Sequence, residues 1–530
     1  MKQLSKSYKQ EKIEGDFDVI VIGSGLGGLS TAGFLAKEKK KVLVLERHYT
    51  PGGFTHAFTR KGYEWDVGVH YIGEVNREKT DLSKAFRYLT DGKMKWEEMD
   101  AVYDKMFFGK DQYEIVAGPE EFKARLKSYF PEEKKAIDEY LELIYKTQRG
   151  QKLYFGEKLL PGFLSKVIGN LFRRKGLKGN TSTLKILQSL TKNKQLIAVL
   201  TGQFGDYGLP PVQSSFLMHS ALVKHYMKGA SYPVGGAQQI FQTIAPAILH
   251  AGGEIFTNAE VKEIILKNGK AIGVKMTDGK DFFAEKIVSD AGINNTFNHL
   301  LPPEKKKELN ISGLFENLKP SVGHICLYIG INHPNSELKH GKANYWIFPD
   351  NYDHDANIDA YIKNPDAEIP VIYISFPSSK DPDWENRYPG KTTIEIITLA
   401  PYAWYEKWEE TRWMKRGEEY ETFKENLSQK LLNALFQKHP ELKGKIDHYE
   451  LSTPLSTKNF ANYEQGELYG IDHSIERFEQ KFLKPQTPVK NLFLTGQDIV
   501  SCGIAGAMFS GVLTASVICR KNLMNRFKNS

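Results

Sequence analysis

Asp18-Val-Ile-Val-Ile22-Gly23-Ser-Gly25-Leu-Gly-Gly28-Leu-Ser-Thr-Ala32 decides the fold. The apolar run Val19 to Ile22 is short enough for a buried parallel strand, and it leads through Gly23-x-Gly25-x-x-Gly28 into a helical pattern. Gly23 permits the tight turn, Gly25 lets backbone approach a pyrophosphate, and Gly28 lets the helix pack on the strand. The free N–H groups of the helix N-terminus then face the phosphates. A second strand, Lys41-Val-Leu-Val-Leu45, ends in Glu46, near the roughly 20-residue offset at which an acid holds a ribose diol. Glu46 would repel a 2′-phosphate, which disfavours NADP. Strand, glycine turn, helix and acid in this order predict a βαβ dinucleotide site.

The flanking sequence selects the dinucleotide. Arg47-His-Tyr-Thr-Pro-Gly52-Gly53-Phe-Thr-His56 carries a second glycine doublet, and Gly62-Tyr-Glu-Trp-Asp66-Val-Gly68-Val-His70-Tyr71-Ile-Gly73 follows. A nicotinamide enzyme does not need that doublet. An extended FAD does, because its pyrophosphate and ribityl chain run along this segment, where glycine lets backbone approach a large flat ligand. Arg47, Gly52, Gly53 and His56 are therefore candidate cofactor contacts. Near the C-terminus a strand ends in Thr495-Gly496-Gln497-Asp498, and Gly503-Ile504-Ala505-Gly506 opens a last helix. Asp498 would hold the ribityl hydroxyls. The helix start at Ile504 and Ala505 would aim its positive end at the N1/C2 edge of a flavin.

At 530 residues the chain exceeds one ordinary core, so several substructures sharing a cofactor are expected. We divide it into a first FAD-binding part (16–75), a mostly helical insertion (76–229), a second FAD-binding part (230–300), a substrate domain (301–484) and a third FAD-binding part (485–530). In the second part, Asn268-Gly269 and Asp278-Gly279 separate alternating runs and predict a β-meander. Val261 would there read the adenine through its backbone, and Ile287-Val-Ser-Asp290-Ala-Gly292 would return the chain to the nucleotide, with Gly292 against it. The substrate domain is rich in aromatics on predicted strands, a pattern that suits either an apolar ligand or ordinary core packing. The predicted fold is thus α/β: a Rossmann-type FAD-binding domain of amine-oxidase-like arrangement, an α+β substrate domain and a helical insertion.

The charge balance, 72 basic against 64 acidic residues, gives +8, and only local clustering would draw the chain to anionic surfaces. Such clustering occurs at 158–178, where apolar residues at spacings of three and four accompany six cations and no acid. This segment reads equally as an interfacial helix touching a membrane from one side or as an amphipathic helix on its own core. Nothing resembles a signal peptide, and no run of about 18 apolar residues predicts a membrane-spanning helix. The three cysteines have no metal-like spacing and are too few for a disulfide framework. A cytoplasmic chain, possible on the cytosolic membrane face, with no metal and no nucleic-acid partner, is expected.

Several stretches carry a family resemblance: Trp65-Asp-Val-Gly-Val-His-Tyr-Ile-Gly73, His225-Tyr-Met-Lys-Gly229, Tyr232-Pro-x-Gly-Gly236, Phe376-Pro-Ser-Ser-Lys-Asp-Pro-x-Trp384, Tyr420-Glu-Thr-Phe-Lys424 and Leu494-Thr-Gly-Gln-Asp-Ile499. With the opening motif, they make the chain resemble the all-trans-retinol 13,14-reductases (retinol saturases), in the carotenoid and phytoene desaturase branch of FAD-dependent flavoproteins. Where animal members have a Gly-Gly-Cys-Cys-His type segment, this chain has Gly52-Gly53-Phe54-Thr55-His56. The resemblance implies saturation of a C=C bond in an apolar retinoid- or carotenoid-like polyene, with desaturation or reduced-FAD cis–trans isomerisation as alternatives. It also admits a non-enzymatic lipid escort resembling the Rab GDP-dissociation inhibitors, against which Glu46, Gly52, Gly53 and Asp498 argue.

The implied chemistry moves a hydride at one carbon and a proton at the other. His70 and Tyr71 are the candidate proton donors, with His225 and Tyr226 behind them; a structural aromatic is the competing reading for each. No second dinucleotide motif exists, so the electron donor stays open among transient NAD(P)H, a ferredoxin, a quinone or another protein.

Overall fold

The computed structural model describes residues 3–159, 169–177, 179–338 and 340–528. A parallel six-stranded sheet runs in the order Lys6–Ser7, Glu254–Thr257, Val42–Leu45, Val19–Ile22, Lys286–Ser289 and Leu492–Leu494. Strands from near the start, middle and end of the chain therefore meet in one layer. The inner strands Val19–Ile22 and Val42–Leu45 are buried at every position, as their unbroken apolar runs require of strands covered on both faces. One face is covered by the helix Leu26–Lys37, which lies against Gln239–His250 and Gly503–Cys519. Gly511 faces Ser30 with no room for a Cβ, so the two helices meet backbone to backbone.

The expected meander is present as Val261–Lys267, Lys270–Met276 and Asp281–Phe283. Asn268 and Gly269, with φ of 50° and 70°, make a tight left-handed turn of the kind a two-residue hairpin needs. The two-residue edge strand Lys6–Ser7 falls outside the predicted boundaries. It pairs with Phe256–Thr257, and Lys6 contacts Glu254 at 2.5 Å.

The substrate region is built on a seven-stranded sheet in the order Ile446–Ser452, His324–Ile331, Thr392–Leu399, Ile372–Ser375, Asn344–Phe348, Val102–Phe108 and Asp111–Val116. Its last two strands come from the stretch 76–229, so that stretch is not only a helical insertion. The two pair with each other as a hairpin, and Val102–Phe108 joins the rest of the sheet through Asn344–Phe348, about 240 residues later in the chain. Helices Lys134–Glu157 and Phe216–Tyr226 from the same stretch pack on this sheet. Ile72–Gly73, Ala230–Pro233 and Trp96–Glu98 form a small antiparallel sheet where the chain leaves and re-enters the nucleotide fold.

Of the basic segment 158–178, residues 160–168 and 178 lie outside the described residues. Two of its cations do not form a solvated face. Lys158 is buried and donates to the carbonyls of Leu483 and Ile499 at 2.6 and 2.5 Å, and Arg173 donates to that of Phe478 at 2.6 Å. Loop carbonyls without strand partners need buried donors, and these side chains supply them. On the helix Asn170–Gly176 the exposed positions are Asn170, Leu171, Arg174 and Lys175. No helix among the described residues is long and apolar enough to cross a membrane.

Candidate active site

A cavity of about 640 Å³ runs from the Glu46 end of the nucleotide fold, past the glycine turn, to the inner face of the large sheet. At its first end the Glu46 carboxylate is fixed on three sides. It accepts from the N–H and hydroxyl of Ser24 at 2.8 and 2.7 Å and from the His48 N–H at 2.8 Å. The Ser24 hydroxyl in turn accepts the Gly52 N–H at 3.0 Å, which ties the two glycine segments together. Gly52 and Gly53 have φ of 121° and 55°, and a Cβ on Gly53 would stand 2.8 Å from the Gly25 Cα. Glycine is therefore required where the two turns pass. At Gly28 a Cβ would strike the Gly23 carbonyl, which is the close helix–strand contact expected of that glycine.

Two helix N-termini open into the cavity. Neither Gly25 before Leu26–Lys37 nor Cys502 before Gly503–Cys519 caps its helix with a side chain, while the Gly28 N–H in the first turn of Leu26–Lys37 is taken by the Asp290 carboxyl. Free N–H groups at a helix start favour an anion or a carbonyl oxygen. With the glycine-lined wall between them, they fit the pyrophosphate and the flavin C2 edge of FAD. Between them Asp290 presses its carboxyl against the glycine turn, 2.6 Å from where a Gly25 Cβ would lie. Burial pushes this carboxyl up to about 8, opposed by the hydrogen bond it accepts from the Gly28 N–H.

The other predicted contacts divide. Gly23, Gly25, Glu46, Arg47, Gly53, His56, Val261, Gly292, Gly496, Asp498, Ile504 and Ala505 line the cavity, whereas Gly28 and Gly52 stand behind its wall. Asp498 was expected to hold ribityl hydroxyls, yet each oxygen already accepts a backbone N–H, from Ile471 at 2.9 Å and from Ile293 at 2.8 Å. It ties two loops at the wall, with only its remaining lone pairs open to a ligand. Arg47 is likewise engaged, with Glu260 and the Asn459 carbonyl at 3.2 Å each. The His56 ring is held by the Gly53 carbonyl at 2.6 Å, and burial lowers it to about 4, so it is neutral.

His70 and Tyr71 both line the far part of the cavity and carry different connections. His70 Nδ1 lies 2.9 Å from Glu395 Oε2, outside hydrogen-bond alignment. Burial, then the charge of Lys380, lowers the imidazole to about 3. The Tyr71 hydroxyl lies 2.7 Å from Asp206 Oδ2 and 3.2 Å from Asp104 Oδ2. Tyr71 stacks on Tyr226 at 4.3 Å and 9°, and its own acidity is suppressed by burial and by the two carboxyls.

Two of the stretches that carry the family resemblance converge on residues 70–73. His225 Nε2 accepts the Gly73 N–H at 2.9 Å while Tyr226 supplies the stack. Lys380, from Phe376-Pro-Ser-Ser-Lys, donates to the His70 carbonyl and to the Ser375 hydroxyl, both at 2.8 Å, and to Asn344. Three acceptors match the three protons of an ammonium. Burial lowers this lysine to about 7, opposed by the charge of Asp104.

Asp104, Asp206, Lys380 and Glu395 were not among the predicted site residues. Asp104 and Glu395 sit at single strand positions, and Asp206 is the last residue of the short 3₁₀ helix Gly202–Asp206; local pattern marks none of them. Asp104 faces Asn344 across a parallel strand pair and accepts its side-chain N–H at 2.9 Å and that of Gln203 at 2.7 Å. Burial raises Asp104 to about 7, Asp206 to about 8 and Glu395 to about 8. Beyond this polar wall the cavity turns apolar, with Phe155, Leu217, Met218, Leu222 and Phe478. Of these acids Asp206 lines the cavity; a single burial-raised carboxyl beside an apolar chamber at the end of a dinucleotide groove suits proton exchange with an apolar substrate.

The family model described as flavin containing amine oxidoreductase matches residues 26–519. The chain is 36% identical to an all-trans-retinol 13,14-reductase of Danio rerio, over 98% of this chain and 89% of that one. It is 28% identical to the chloroplastic prolycopene isomerase of Arabidopsis thaliana, over 96% of this chain and 83% of that one. Among solved structures, putrescine oxidase bound to putrescine superposes with a TM-score of 0.60 at 15% identity, over 96% of this chain and all of the other; that likeness speaks for the fold.

Proposed function

We propose the function of a chain that belongs to the flavin containing amine oxidoreductases and, within them, to the group of the all-trans-retinol 13,14-reductases. It is an FAD-dependent enzyme acting on C=C bonds. Its substrate is a retinoid- or carotenoid-like polyene, and the reaction is saturation of one double bond. The observation that carries this reading is the apolar chamber at the end of the nucleotide groove, walled on one side by Tyr71 and Asp206.

FAD, when bound, supplies the hydride-transfer chemistry. Glu46 would orient its ribose end, the turn Gly23–Gly28 and Asp290 would receive the pyrophosphate, and the start of Gly503–Cys519 would receive the flavin C2 edge. Phe155, Met218 and Phe478 exclude water from the polyene, which strengthens every polar interaction at the wall. The His70–Gly73 segment holds the protic groups at the substrate carbon that takes a proton.

The test is anaerobic: reduced holoprotein is mixed with all-trans-retinol, and the return of oxidised flavin absorbance is followed. Reoxidation that requires retinol supports the reading; none within hours counts against it. The isomerase relative favours a second reaction on the same chamber, redox-neutral cis–trans isomerisation, in which the flavin stays reduced and the product keeps the substrate's mass.

A water-insoluble polyene must reach this chamber from a lipid phase. We also propose that Leu171, Arg174 and Lys175, exposed together on one helical face, touch an anionic membrane. Cosedimentation with phosphatidylserine vesicles that is unchanged in Arg174→Glu/Lys175→Glu would refute this contact.

A further inference from the structure

We propose that Asp206 is the acid that protonates the substrate, and that Asp104 resupplies it through the Tyr71 hydroxyl. This rests on the polyene-reductase reading above. Among the groups of the polar wall, Asp206 joins two properties. It lines the cavity, and among the described residues nothing hydrogen-bonds its Oδ1, while Oδ2 is fixed by Tyr71 at 2.7 Å. Asp206 also stands beside the start of Gly503–Cys519, since the Cys502 thiol donates to the Asp206 carbonyl at 3.4 Å. The free carboxyl oxygen thus faces the chamber next to the helix end that fits the flavin.

Counting hydrogens sets the direction of the chain. The Tyr71 hydroxyl has one proton and two carboxyl neighbours, at 2.7 and 3.2 Å. Donated to Asp206 Oδ2, it leaves the Tyr71 oxygen as an acceptor for Asp104, which must then hold a proton itself. Asp104 is fully buried and takes no part in the cavity wall. The upward shifts of both carboxyls, to about 7 and about 8 and caused first by burial, agree with a pair that exchanges protons near neutral pH. Neither predicted donor serves as well. His70 is held neutral by burial, and Tyr71 is too weak an acid to be the terminal donor.

The step balances as follows. The π bond of the substrate opens; one carbon gains a hydride from reduced FAD, the reductant of the assigned activity, and the other gains the Asp206 Oδ1 proton. The substrate is reduced by two electrons and FAD ends oxidised. The Asp206 carboxylate then receives the Tyr71 proton on Oδ2 as Tyr71 receives that of Asp104. The chain refills from water at the Asp206 side once product leaves.

The test uses FAD-loaded full-length protein, reduced with dithionite and mixed with all-trans-retinol in H₂O and in D₂O. Asp206→Asn keeps the shape and removes the acid. It is expected to retain flavin absorbance and retinol binding while flavin reoxidation slows by about 100-fold or more, the usual range for a lost general acid. Tyr71→Phe is expected to slow reoxidation about tenfold or more and to shrink the solvent isotope effect, a readout that a merely structural tyrosine would not move. Asp206→Asn within threefold of wild type overturns the assignment; should that variant lose flavin, Tyr71→Phe with wild-type rate and isotope effect overturns it. Wild-type protein that never reduces retinol overturns the functional reading, and this assignment with it.

Discussion

Lys380 Nζ donates at 2.8 Å to the backbone carbonyl of His70, 310 positions earlier in the chain. A buried lysine at the end of the short helix Pro377–Lys380, just after the sheet's central strand Ile372–Ser375, thereby fixes the segment that lines the cavity. Lys380→Met removes donors from three oxygens, those of His70, Ser375 and Asn344. Leaving such groups unpaired costs about 1–3 kcal/mol each, only partly regained by relaxation, so a loss of about 2–4 kcal/mol is expected. Urea unfolding of the holoprotein measures it, and a midpoint equal to wild type would contradict the clamp.

Gly53→Val places a branched side chain where even a Cβ stands 2.8 Å from Gly25 Cα, at a φ of 55° that valine avoids. The two glycine turns must separate. FAD affinity, read as flavin absorbance retained after gel filtration, should fall at least tenfold while far-UV circular dichroism stays near wild type.

Asp290 gives FAD binding a pH dependence with a definite sign. Its carboxyl is raised to about 8, so it is neutral below that pH and anionic above it, beside the site that fits a pyrophosphate. FAD affinity should weaken as pH rises through about 8, approaching about tenfold per pH unit beyond it, and Asp290→Asn should flatten the profile. For the apoprotein, an unfolded carboxyl near 3.9 and a folded one near 8 mean that the folded state holds the extra proton between those values. That contribution to stability is present in full below about pH 4 and is lost as pH rises through about 8. The wild-type minus Asp290→Asn difference in urea midpoint isolates it.

The nucleotide half was legible because its determinants are consecutive: a strand, three glycines at fixed offsets, a helix, and Glu46 at the next strand end. The meander was legible for the same reason, through Asn268-Gly269 and Asp278-Gly279. The substrate half was not. Asp104 meets Asn344 only because two strands 240 residues apart pair in register. Asp206 reaches Tyr71 from 135 residues away. In each case the partner is chosen by topology, and a lone acid on a strand or at the end of a short 3₁₀ helix carries no local mark. Val102–Phe108, read within a mostly helical region, pairs on one edge with Asp111–Val116 across a two-residue turn and on the other with the remote Asn344–Phe348. Two of the motifs that carry the resemblance became intelligible only in space, where His225, Tyr226 and Lys380 close on His70–Gly73.

The central claim is that this chain saturates a polyene double bond, and the mass of the product of one turnover tests it most directly. FAD-loaded protein, reduced anaerobically and given one equivalent of all-trans-retinol in D₂O, is expected to yield a dihydro product carrying deuterium at the carbon protonated from the enzyme. Retinol recovered with unchanged mass and altered geometry, from protein whose flavin remains reduced, would contradict it.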